Sequence, residues 1–267
     1  MTALATRGSA TTGDVIRIAA VVAGSAAQVL VPLIGPALGQ SAVGEVTSLT
    51  PSIITPPGWA FSVWGPIFAA SAGTAVVQAL PSQRSKPVHR STGWWLAAAS
   101  AGCASWEFVA QSGRIRATPP ILWAIVAASA VAHRRVQDAD DTGAARLVAG
   151  SNGLLLGWTG LAAAINTVDV LNSLLGWNPR SGAGRVLSLS MVGAAALGVS
   201  AVVGSSRRGA LPVATTTGWG LSALAFTTPL RAVAGTAGGG LVTLALGVVA
   251  AARRTRRLGG RFADLLG

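Results

Sequence analysis

The chain has 267 residues, 51% of them hydrophobic and only 10% charged, with a mean hydropathy of +0.57. Soluble chains carry about 25% charged residues, so a water-soluble domain is excluded. The net charge of +12 does not indicate nucleic acid either, because the basic residues sit in short segments between long apolar runs.

Runs of about 20 apolar residues cross a hydrocarbon layer of roughly 30 Å as helices, since lipid offers the backbone no outside partner. The expected fold class is therefore all-α, a polytopic transmembrane helical bundle in a lipid bilayer. In chain order, residues 1–17 are small and polar and are expected to be disordered. The first span, 18–39, exceeds the 7–15 apolar residues of a signal peptide and is expected to be retained. Residues 40–57 form a long outer loop with Glu45 and no basic residue, of the length at which loops often act as lids.

The second span, 58–80, opens with Thr55-Pro56-Pro57-Gly58-Trp59-Ala60-Phe61-Ser62-Val63-Trp64-Gly65-Pro66-Ile67-Phe68. Pro56 and Pro57 suit a helix entry. On a helix Phe61, Trp64 and Phe68 form one aromatic stripe, and Pro66 predicts a kink by freeing the Ser62 carbonyl. Helix packing with an interfacial aromatic belt requires the same stripe. The remaining spans are 94–111, 119–133, 147–172, 186–204, 211–228 and 232–252.

With the N-terminus inside, fifteen basic residues face the cytoplasm and five (Arg114, Arg116, Arg180, Arg185 and Arg231) face out, as the positive-inside rule expects. Both termini are then cytoplasmic, and the basic tail 253–267 anchors the topology. The expected location is a bacterial inner (plasma) membrane. Gly235-x-x-x-Gly239 suits close helix packing, either within one chain or across a homodimer.

Two separated motifs carry a resemblance. The Pro-Pro-x-Trp-x-Phe run at 56–61, followed by Trp64 and Phe68, resembles the start of the second helix in the TspO/MBR family (translocator protein, or tryptophan-rich sensory protein). The stretch 157–172, with Asn166 eight residues after Trp158, resembles that family's fifth helix, and the surroundings of Trp106 are similar to its third. The likeness covers roughly residues 18–175, a five-helix core, and leaves 176–252 as about three further helices. Trp59 and Trp64 stand one residue closer than in the typical member, and Ser105 stands where Asn is usual. No Tyr is present, so the weak sterol-contact pattern that needs one is missing.

The resemblance implies a ligand-binding or sensory membrane protein that holds a small planar molecule, a porphyrin or haem bound as ligand rather than cofactor. Tetrapyrrole binding would fall to Trp59, Phe61, Trp64, Phe68, Trp106, Trp158, Asn166 and Asp169.

The residues themselves also allow a second class, a small-solute or proton-coupled transporter using Glu107 or Asp169, since intramembrane carboxylates usually face a bundle interior or water. Hydration at a helix end, or pairing with Arg114, Arg116 or Arg180, accounts for them equally well. Cys103 stands alone, His89 and His133 fall at helix ends, and no catalytic or metal motif is visible. The expectation is that the protein is not an enzyme, binds no metal and needs no cofactor.

Overall fold

The computed structural model describes residues 10–39, 52–140 and 142–267. Residues 1–9 of the N-terminal segment and 40–51 of the outer loop, with the readings placed on them, lie outside these described residues.

Nine α-helices and no strand are present among the described residues: α1 Thr12–Ala37, α2 Trp64–Ala79, α3 Pro87–Gln111, α4 Thr118–Gln137, α5 Thr142–Leu175, α6 Gly182–Ser205, α7 Ala210–Thr227, α8 Arg231–Arg257 and α9 Phe262–Leu266. Short 3-10 turns precede α2 (Gly58–Val63) and α4 (Ile115–Ala117). Each of the eight spans expected from hydropathy coincides with one of the long helices. Among the described residues six segments are long and apolar enough to cross a membrane, and α3 and α7 are not among them. Both are flanked by other helices, α3 by α1 and α4, and α7 by α5 and α8. Helices shielded from lipid can keep polar residues that pair inside the bundle.

Several boundaries differ from the apolar runs. α1 begins at Thr12 rather than residue 18, because the polar residues before the run make its cap. The Thr11 hydroxyl accepts from the Asp14 amide at 3.2 Å, and the Asp14 carboxylate accepts from the Thr11 amide at 3.0 Å, the reciprocal pairing of a capping box. Asp14 and Arg17, both buried, are then drawn into a knot at this end of the bundle. The Arg17 guanidinium donates to Gln78 Oε1 and to the carbonyls of His89 and Arg84. Arg90 closes the knot on Asp14 at 2.6 Å.

The kink expected at Pro66 is also absent in that form. Residues 58–63 wind as a 3-10 turn and the α-helix starts only at Trp64. Pro66 therefore falls in the first turn, where an amide has no intrahelical partner to lose.

α5 is the hub. In its apolar stretch 67% of residues are buried, against 28% for α1 and α8, and it contacts α2, α3, α4, α6 and α7. Small residues let the neighbours approach. A side chain at Gly157 would run into the Val213 carbonyl of α7, and one at Gly153 would meet the Gly209 carbonyl at 3.1 Å. Thr216 and Thr217 staple the same seam, donating to the carbonyls of Leu154 and Gly157 at 2.9 and 2.8 Å. α8 meets α6 through Gly240 and Gly247, whose added Cβ atoms would lie 2.9 Å from Ala196 and 2.7 Å from the Ser200 carbonyl. Gly235 and Gly239, the pair singled out from sequence, face open space instead.

The last three helices thus close on the first five along α5. One apolar cluster joins Leu161, Ile165 and Val168 of α5 to residues of α6, α7 and α8. Ile53 and Ile54 belong to the same cluster, so the end of the outer loop is pinned under the added helices.

Candidate functional site

The segment that leaves this anchor builds the site. After Ile54, Thr55 and Pro56 turn over the end of α5, and the 3-10 turn then carries Phe61 inward. Trp106 comes from α3 and Trp158 from α5. Together with Leu161, Ile165 and Asn166, these residues line an apolar cavity of about 40 Å³. Phe61 meets Trp158 edge to face, with ring centroids 5.8 Å apart, an arrangement aromatic rings favour.

Asp169 and Asn166 hold the outer wall. Thr55 donates its hydroxyl to the Asp169 carboxylate at 3.0 Å. Thr118, at the start of α4, donates to Asn166 Oδ1 at 3.0 Å, while the Asn166 amide donates to the Ala162 carbonyl. Asn166 is therefore engaged on both sides and ties α5 to α4. Asp169 also lines a wider outer space of about 440 Å³ with Arg114, Arg116 and Ser173. Ile115 and Asp169 border both that vestibule and the inner cavity.

Trp64 and Phe68 lie behind the wall. Their rings stack at 5.2 Å, and Trp64 reaches Trp106 at 5.6 Å and Trp158 at 6.2 Å. These aromatics share one buried cluster with Val63, Ile67 and Cys103, but only Phe61, Trp106 and Trp158 border the cavity. The indole N–H groups of Trp64, Trp106 and Trp158 are buried without a protein acceptor.

Trp59 is elsewhere. It is 54% exposed and packs edge-on against Trp219 of α7 at 5.3 Å. Trp219 in turn donates its indole N–H to the Ala60 carbonyl at 2.8 Å, so α7 steadies the 3-10 turn. Of the eight residues marked from sequence, five converge on one cavity (Phe61, Trp106, Trp158, Asn166 and Asp169), two support it and one faces away. Glu107 is buried on α3 and is not among the cavity-lining residues.

Sequence reasoning passed over Thr55, Thr118 and Trp219. Thr55 stood at the head of the quoted motif, and Thr118 directly precedes Pro119-Pro120. Nothing local distinguished Trp219 from a belt residue. Among the described residues no group of His, Cys, Asp or Glu has the arrangement of a metal site.

The family model described as TSPO-like protein matches residues 14–250. That range includes the three helices beyond the five-helix core. No curated protein and no solved structure matches the chain.

Proposed function

The chain belongs to the TSPO-like protein family, and from that premise we propose that it is an integral membrane ligand-binding and regulatory protein. Its ligand is a flat apolar molecule, with porphyrins the leading class, held between the 3-10 turn, α3 and α5.

One observation carries this reading. Two tryptophans from different helices, Trp106 and Trp158, border one apolar cavity, and each has a buried indole N–H without an acceptor. Buried donors are normally paired, and a planar ligand that presents an acceptor to the edge of either ring, in the plane of its N–H, would pair them. The present space is far below the roughly 300–1,000 Å³ of small-molecule sites, so entry requires the wall to move. The Thr55–Asp169 bond is one of the contacts that hold it. Breaking it would join the cavity to the vestibule beside Arg114 and Arg116, whose charges suit the propionates of a porphyrin. The bundle's basic end would lie in the cytoplasm of a bacterial inner membrane, placing the site toward the outer leaflet. Ligand occupancy would then be sensed through the chain segment 52–57, which is anchored under α6–α8.

The test is a porphyrin titration of the full chain in nanodiscs, followed by tryptophan quenching. Aromatic contacts contribute about 0.5–1.5 kcal/mol beyond area burial, and about 1.4 kcal/mol is a tenfold change. Trp158→Ala, which removes the ring, should weaken binding roughly tenfold, and Trp177→Ala should leave it unchanged. Equal affinity across wild type and both variants would remove the cavity as the binding site.

A further inference from the structure

At the opposite end of the bundle a second cavity, of about 420 Å³, opens between the α6–α7 turn, the start of α5 and the end of α8. Arg146, Arg207, Arg208 and Arg261 line it, with Asp264 as the one carboxylate in its wall. We infer that this is a phosphate-binding pocket, whose occupant is the phosphodiester of an anionic lipid headgroup or the phosphate of a soluble metabolite. The inference is independent of the tetrapyrrole reading.

The arginines are positioned rather than left on a solvated rim. Gln137 Oε1 accepts from the amides of Arg207 and Arg208 at 2.7 and 2.9 Å, and its Nε2 donates back to the Arg208 carbonyl at 3.2 Å. This clamps the α6–α7 turn. Arg208 Nη1 donates to the carbonyls of Val136, Gln137 and Ala139. Those acceptors orient the guanidinium without neutralising it.

Arg146 is fixed by Asp264 at 2.7 Å. Arg207 has, among the described residues, the exposed Asp138 at 4.0 Å. Four arginines against Asp264 and Asp138 thus leave an excess of positive charge around a space of ligand size.

The outer wall is built by a deliberate reversal of the chain. Gly259, at φ +71°, ends α8 in the left-handed region that favours glycine. α9 then folds back and is held by the Gly209 amide donating to the Asp264 carbonyl at 3.0 Å and by buried Leu265. Thr255, buried in the same wall, has a hydroxyl without a partner.

Guanidinium groups pair with phosphate oxygens bidentately, and basic pockets between membrane helices are suited to phospholipid headgroups. A second crevice, lined by Gly204, Ala250 and Arg253, shares Leu258 with this pocket, a path along which a lipid chain could follow its headgroup.

The experiment measures melting temperature for the full chain in zwitterionic detergent, titrated with phosphatidylglycerol or with inorganic pyrophosphate. Wild type should be stabilised by at least one of the two. Response to the lipid alone assigns a headgroup, and response to pyrophosphate assigns a soluble phosphate. Arg207→Gln/Arg261→Gln should weaken the responding probe's apparent affinity at least tenfold. Thr255→Val should melt like wild type without the probe and respond less to it. Arg134→Gln/Arg135→Gln removes the same charge at exposed positions that line neither the pocket nor the adjoining crevice and should bind as wild type does. No response to either probe would overturn the inference. So would an equal loss in both double variants, which would indicate an unspecific basic rim.

Discussion

The Thr55 hydroxyl and the Asp169 carboxylate form the contact on which access to the cavity turns. A hydrogen bond to a charged group contributes about 1.5–3 kcal/mol, enough to keep the wall closed for most of the time without locking it. Thr55→Val removes this donor at nearly constant shape and leaves the Ser52 hydroxyl on the carboxylate. In stopped-flow mixing it should raise the porphyrin association rate several-fold while changing the equilibrium affinity little; an unchanged rate would remove this contact as the gate.

Asp169→Asn separates binding from transport. The amide oxygen can still accept from Thr55, so porphyrin affinity should stay within a few-fold. A coupling carboxylate would behave otherwise, and solute uptake into proteoliposomes that disappears in Asp169→Asn would favour a transporter. At this scale the sequence was informative about residue type and less so about direction. The resemblance assigns Trp64 and Phe68 to the ligand site together with Trp158 and Asn166. In the structure Trp64 does approach Trp158, but both side chains pack behind the cavity wall. The reason is the 3-10 turn at Gly58–Val63, with its tighter winding of about three residues per turn, which no hydropathy pattern encodes.

Among the elements, α5 decides how the chain closes on itself. Gly157 allows α7 to approach so closely that an added Cβ would enter the Val213 carbonyl. Gly157→Ala should therefore destabilise the protein by about 1–3 kcal/mol, the usual range for overpacking, seen as a lower melting temperature in detergent. Gly238→Ala, where open space surrounds the glycine, should be neutral. A Gly157→Ala variant melting like wild type would contradict the packing described here.

The helices themselves were legible because apolar runs of spanning length have one solution in lipid. Their ends were less so. α8 continues to Arg257, five residues past the expected limit at 252, and α5 starts at Thr142 rather than 147. Polar residues at the membrane surface can prolong a helix that hydropathy alone would stop. The small-residue seam was misplaced for a related reason. A spacing of four is visible in sequence, but which face of α8 it occupies depends on where α6 lies.

For the whole molecule, one end gathers Arg17, Arg84 and Arg90 around the start of α1, with Arg146 paired to Asp264 and Arg208 bonded to the end of α4, while Arg114 and Arg116 stand beside Asp169 at the other. The proposed tetrapyrrole site lies at the other end. The three helices after the five-helix core complete it in a way the motifs did not disclose. They cover Ile53 and Ile54 at the outer loop's end, and Trp219 holds the 3-10 turn that presents Phe61. These are contacts between residues about 110 to 180 positions apart, outside the reach of local pattern.

The central claim is the location of the ligand, and covalent mapping tests it most directly. A diazirine-bearing porphyrin would be photolysed with the full chain in nanodiscs and the labelled peptides identified by mass spectrometry. Labels should fall on Thr55–Phe61, on α3 near Trp106 and on α5 between Trp158 and Asp169, and should be suppressed by excess unmodified porphyrin. Competed labelling concentrated on the lipid-facing surfaces of α1 or α8, with none in these three segments, would contradict the assignment.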